Sequence, residues 1–218
     1  MPPLLPRRQL PNALTLLRLF LAAAFFAALN GYRYEPPTHQ GWANLAAGLF
    51  IAAAVTDALD GYFARKWDAT STFGRIMDPF CDKVLVLGAF LYLAGPRFVY
   101  QKWVDDGSFF TMSTAVYPWM VAVILARELL VTSVRGVVES RGIGFGSNRA
   151  GKAKMILQSV AIPTIILLVV NFRPAENDWA RVCCHVLVYV TLLATLWSAV
   201  PYVLGVRRLM TEERGAGP

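Results

Sequence analysis

The sequence predicts an all-α integral membrane protein with six transmembrane helices and both termini on the cytoplasmic side. Three observations predict it. Hydrophobic residues make up 56% of the 218 positions and charged residues only 16%, against about 25% charged in soluble domains. One small core cannot hide that much apolar surface, so lipid must solvate much of it. Six segments approach the roughly 20 apolar residues that a helix needs to cross a bilayer. Finally, thirteen of the 21 Lys and Arg fall on the side shared by the termini and the loops after the second and fourth segments. Five fall on the other side and three inside spans, and basic residues accumulate in cytoplasmic loops.

Residues 1–10 form a proline-rich, basic segment. The apolar run after Arg7 and Arg8 is too long, and too poor in small-residue cleavage patterns, for a removable signal peptide. It is therefore the first span, residues 12–30. The others are residues 41–65, 75–96, 112–135, 149–171 and 178–205, with Gly and Pro breakers between them. Residues 211–218 read as a frayed tail, and the length suits one domain, residues 1–218. Trp42, Trp103, Tyr117, Trp119, Trp179 and Tyr202 near the span ends read as an interfacial belt. Cys81, Cys183 and Cys184 do not make a disulfide framework or a CxxC metal site. The net charge of +7, with such hydropathy, points to anionic headgroups or phosphorylated substrates rather than nucleic acid.

Four carboxylates stand where the bilayer penalises them. Asp57 and Asp60 lie in the second span, Asp78 and Asp82 in the third, and each acid at a span centre costs about 2.5–3.5 kcal/mol on insertion scales. At 100° per residue Asp57, Asp60, Gly61 and Ala64 share one helix face, and Gly74, Asp78 and Asp82 share another. A short loop makes the two helices antiparallel neighbours able to bring these faces together. Lys83 is one charge against four, so the acids would repel one another without added cations. Hard oxygen donors without His or Cys select Mg²⁺, Mn²⁺ or Ca²⁺. A pair of such ions can hold a pyrophosphate and stabilise attacking and leaving oxygens. Gly61 and Gly74 leave room for a bulky ligand, and Arg65 can contact a phosphate.

Written out, Asp57-x2-Asp60-Gly61-x2-Ala64-Arg65-x8-Gly74-x3-Asp78-x3-Asp82 resembles the complete signature of the CDP-alcohol phosphotransferases. The resemblance implies a six-helix, homodimeric membrane enzyme in which an alcohol displaces CMP from a CDP-linked lipid. It implies that Asp57, Asp60, Asp78 and Asp82 bind a pair of Mg²⁺ or Mn²⁺ ions. Asp82 would also be the general base, and Gly61, Ala64, Arg65 and Gly74 would line the cytidine diphosphate. Phosphoryl-type transfer needs charge neutralisation and positioning more than covalent chemistry, which agrees.

The second half bears on the acceptor. Arg127 and Arg135, eight residues apart, fall on roughly one helix face, and Lys152 and Lys154 open the fifth span. Such a cluster would hold an acceptor phosphate. Both stretches resemble the phosphatidylglycerophosphate synthases, a group whose acceptor is sn-glycerol 3-phosphate and whose donor is CDP-diacylglycerol. Asn12, Thr15 and Arg18 belong to a stretch similar to that group's first-helix motif, which places Asn12 and Thr15 at the CDP site; the two could also cap the first helix. Arg18 and Gln158 are candidates for lipid or phosphate contact. Met155 stands where a Thr is usual, and the loop from Arg141 to Asn148 differs from the common pattern. Within the same reaction class the rival acceptors are inositol phosphate and phosphatidylglycerol; from another class, the acids could line a cation transporter or channel. The expected location is a bacterial inner membrane with the active site facing the cytoplasm.

Overall fold

A computed structural model describes residues 10–67, 72–140 and 149–205, and the described part is helical, with no strand. The described residues hold six long helices: α1 (Leu10–Asn30), α2 (Gln40–Trp67), α3 (Thr72–Leu93), α5 (Pro118–Ser140), α6 (Arg149–Phe172) and α7 (Asp178–Trp197), with a short α4 (Gln101–Asp105) between α3 and α5. Among the described residues four stretches are long and apolar enough to cross a membrane: Ala13–Asn30, Gln40–Leu59, Ala150–Phe172 and Asp178–Gly205. The remaining long helices, α3 and α5, each carry three charges close together in mid-course. These are Asp78, Asp82 and Lys83 on α3, and Arg127, Glu128 and Arg135 on α5.

Three boundaries depart furthest from the sequence expectation. The fourth long helix begins at Pro118 rather than at 112 and runs on to Ser140. Residues 112–117 form a turn instead: Ser113 donates to the Phe98 carbonyl, Thr114 to that of Leu93, Ala115 N–H to that of Met112, and Ala115 takes a positive φ of 58°. Pro118 then opens the helix at its first position, where its missing N–H costs nothing. At the other end, α7 stops at Trp197, and a turn at residues 198–199 precedes a further helical stretch, 200–205. Pro201 has no N–H for the Trp197 carbonyl, which accounts for the interruption.

The long helices close into a ring. α1 packs on α2 and α3, α2 on α6, α6 on α7, α7 on α5 and α5 on α3, while α3 also meets α6 across the middle. α2 lays a small-residue stripe, Ala43, Ala46, Ala47 and Ala53 with Phe50, into the core, which lets neighbouring backbones come close. Gly88 of α3 receives the Phe26 ring of α1; a Cβ there would lie 2.4 Å from the ring's Cζ. Among the described residues the main packing partner of both α2 and α3 is α1, whose Arg18 meets an aspartate of each. Outward faces are apolar, with Phe20, Leu91, Leu193 and Trp197 all more than 60% exposed, as lipid solvation requires.

One end of the bundle is closed by its own loops. Tyr34 N–H donates to the Arg97 carbonyl at 2.9 Å, Arg97 returns a bond to Tyr32 O at 3.3 Å, and Ala175 N–H donates to the Tyr34 hydroxyl at 3.1 Å. Arg173 lies 5.3 Å above the Tyr34 ring, within cation–π range. Burial pushes the Tyr32 phenol up to about 12 and raises that of Tyr34 as well.

Candidate active site

At the opposite end the buried face of α1 changes character. Leu29, Phe25 and Ala22 give way to Arg18 and Thr15 on the same stripe, which follows the i, i+3, i+4 spacing of a core-facing helix. Arg18 is 1% exposed, and a guanidinium so placed requires an anion. Its Nη1 lies 2.7 Å from Asp57 Oδ1 on α2 and 3.8 Å from Asp78 Oδ1 on α3. Thr15 Oγ1 donates to the same Asp78 oxygen at 2.7 Å. Two carboxylates from two helices thus converge on one cation, and each keeps over a third of its side chain exposed, 36% and 39%.

Asp82 follows Asp78 by one turn of α3 and is half-buried. It interacts electrostatically with Asp57, Arg18, Lys154 and Glu128. Pro79 sits between the two aspartates inside α3 and withholds one backbone N–H from the helix ladder there.

The second cluster is built from α5, α6 and the end of α7. Glu128 Oε1 accepts from Arg127 Nη1 at 2.8 Å and from Lys154 Nζ at 2.5 Å. Arg127 Nη2 donates to the Ser198 carbonyl at 3.2 Å. Arg127 and Lys154 are each 8% exposed, and Arg127 Nε is buried with no partner among the described residues. Two turns along α5, Arg135 donates to the Tyr202 hydroxyl at 2.9 Å. The shared face expected for the two arginines therefore looks onto the end of α7. Gln158 is buried and donates to Thr195 Oγ1 at 3.2 Å.

Some residues grouped by the sequence are separated here. Lys152 is exposed while Lys154 is buried, because a two-residue step turns a helix by about 200°. Met155 is exposed too, at 43%. Lys83, the lysine set against the aspartates, donates instead to Thr132 of α5 at 2.6 Å, and Thr132 bonds the Glu128 carbonyl. The cation that does meet the acids is Arg18. Glu128 is the residue that sequence reading passed over, since it showed there only as a neighbour of Arg127. Its spacing from Lys154 carries no helical signal. The side-chain surroundings of Asn12, Asp60, Ala64, Arg65 and Gly74 lie outside the described residues, as does the 141–148 loop.

Among the described residues no group of three or more His, Cys, Asp or Glu side chains stands ready to hold a metal ion. The donor chemistry still fits a hard cation: Asp57 and Asp78 offer only oxygen, and they already converge on a positive group.

Comparison with known proteins follows the same lines. The family model for CDP-alcohol phosphatidyltransferase matches residues 8–199. A Bacillus subtilis protein called CDP-diacylglycerol–glycerol-3-phosphate 3-phosphatidyltransferase is 32% identical over 192 residues, covering 85% of this chain and 91% of its own. Proteins of the same description from Escherichia coli K12 and Shigella sonnei are each 31% identical over 211 residues, 94% of this chain and 98% of theirs.

Proposed function

This chain belongs to the CDP-alcohol phosphatidyltransferase family, and we propose that it moves a phosphatidyl group from CDP-diacylglycerol to sn-glycerol 3-phosphate. The products are phosphatidylglycerol phosphate and CMP, a step of phospholipid synthesis. It is a transferase and a membrane protein, and the relatives named for this reaction span nearly its whole length. The observation that carries the reading is the place of Asp82, one turn after the Arg18-bound Asp78 on α3 and in electrostatic reach of Asp57, Arg18 and Lys154. A base is useful only where donor phosphate and acceptor hydroxyl meet.

In this reading the acceptor hydroxyl oxygen attacks the phosphorus that carries diacylglycerol. The new P–O bond forms as the bond to CMP breaks, and Asp82 takes the hydroxyl proton. Members of the family generally use divalent metals; Asp57, Asp60, Asp78 and Asp82 would hold a pair of Mg²⁺ or Mn²⁺ ions, which supply charge neutralisation on the pyrophosphate. Arg18 and Thr15 hold Asp57 and Asp78 at a common point, so these carboxylates lose little freedom when a ligand arrives. Gly61, Ala64, Arg65, Gly74 and Asn12 complete the cytidine diphosphate site, and Arg127 and Lys154 receive the acceptor phosphate, with Arg135 and Lys152 toward its rim. The reading includes one domain with six spans, both termini and the site on the cytoplasmic face of a bacterial inner membrane, and a homodimer. The Lys and Arg distribution supports that orientation.

The test is CMP release by purified protein with CDP-diacylglycerol and a panel of acceptors. Turnover with glycerol 3-phosphate, and little with inositol phosphate or phosphatidylglycerol, is expected. Inactivity with the first and turnover with either of the others would assign a different acceptor.

A further inference from the structure

The geometry points to Glu128 as a positioning residue for the acceptor, acting through the two cations that it holds. The inference rests on the reaction assigned above and concerns a residue to which that reaction gives no part. Arg127 and Lys154 stand on different helices, α5 and α6, and both are more than nine-tenths buried. Two buried cations facing one another repel. A single carboxylate oxygen joins them, at 2.8 Å from Arg127 Nη1 and 2.5 Å from Lys154 Nζ. Both cations keep donors in hand: Arg127 Nε is buried without a partner among the described residues, and Lys154 uses one of its three protons on Glu128.

The Glu128 backbone is anchored as well. Its carbonyl accepts from Thr132 Oγ1 at 2.7 Å, and that hydroxyl accepts from Lys83 of α3 at 2.6 Å. Glu128 therefore ties α3, α5 and α6 together one residue away from Asp82. Asp82 interacts electrostatically with both Lys154 and Glu128. With the Glu128 charge removed, Asp82 is the carboxylate left in the field of Lys154. Glu128 thus keeps Lys154 on the acceptor side and preserves a dianion-binding pair rather than a Lys154–Asp82 pair. The ligand that fits such a pair is the phosphate of a small phosphorylated alcohol, for which an arginine and a lysine with unused donors are suited.

Steady-state kinetics of Glu128→Gln, with glycerol 3-phosphate and CDP-diacylglycerol varied in turn, tests this. Glu128→Gln keeps the shape and removes the charge. It is expected to raise KM for glycerol 3-phosphate about tenfold, the scale of one charge-assisted bond, and to leave KM for CDP-diacylglycerol within about twofold. Glu128→Asp, one methylene short of bridging both cations, should fall between. In a Lys154→Gln background Glu128→Gln should add little, because the pair it organises is already broken. An unchanged KM for glycerol 3-phosphate, a parallel rise in both KM values together with a lowered Tm, or additive effects in the double variant would each overturn the positioning role. Failure of the wild-type protein to use glycerol 3-phosphate at all would instead overturn the reaction assigned above.

Discussion

The two ends of the helix ring contrast in how they satisfy buried polar groups. At the closed end, backbone groups and tyrosines do the work: Tyr34 bonds Arg97, Arg97 bonds Tyr32, and Ala175 bonds Tyr34. Most partners there are neutral on at least one side and lie in the connecting loops. At the site end the partners are full charges on helices far apart in sequence, with Arg18 against Asp57 and Asp78, and Glu128 between Arg127 and Lys154. Neutral bonds make a lid that has no reason to change. Asp57 and Asp78 keep exposed flanks, so a metal can stand in there for the guanidinium, while Arg127 and Lys154 keep donors for a phosphate beside Glu128. The contrast teaches that one apolar bundle can be rigid at one end and exchangeable at the other without any difference in its helices.

Perturbing each end tests that division, and the largest effects belong to the site. Stripping divalent metal with a chelator should reduce CMP release to background, and added Mg²⁺ or Mn²⁺ should restore it; full activity in chelator would break the assignment of the acids. Asp82→Asn should lower kcat by about 10²–10⁴-fold, the range of general-base catalysis, while thermal stability stays near wild type. Arg18→Met removes the cation between Asp57 and Asp78. An activity loss of about tenfold is expected, from one charge-assisted bond of about 1.5–3 kcal/mol. Its Tm should also rise more steeply with added Mg²⁺ than the wild-type Tm does, since metal then becomes the only cation for those acids. A Tm that ignores Mg²⁺ would argue against convergence of the carboxylates on a metal.

At the closed end the signs reverse. Tyr34→Phe loses the bond from Ala175 and should cost about 1 kcal/mol of stability, with CMP release within about twofold of wild type. A matching fall in activity would show that the ends are coupled. The smallest effect is expected at His39, exposed and held at φ 50°. His39→Gly relieves that left-handed conformation and should raise Tm by a degree or a few, equivalent to about 1 kcal/mol at most, with no change in turnover.

Much of this was legible in the chain itself. The apolar spans, the misplaced aspartates and the need of Arg18 and Arg127 for anions follow from local composition and bilayer cost. Even the separation of Lys152 from Lys154 was present in the two-residue spacing. The partner of each charge was not. Lys83 adjoins Asp82 yet reaches Thr132, since consecutive helix residues point about 100° apart. Residue 112 looked helical because its surroundings are apolar, but the carbonyls of Leu93 and Phe98 claim Thr114 and Ser113.

The sequence by itself determined that this is a helical membrane chain bearing a four-aspartate signature, because helix periodicity and desolvation cost act over a few residues. Tertiary structure decided that Arg18 of α1 meets both Asp57 and Asp78, and that Glu128 joins α5 to α6. Those contacts depend on distances between helices tens of residues apart, and no local spacing encodes them. For the aspartates themselves the division is the same: their presence was written in the chain, and the cation that Asp57 and Asp78 share was settled by packing.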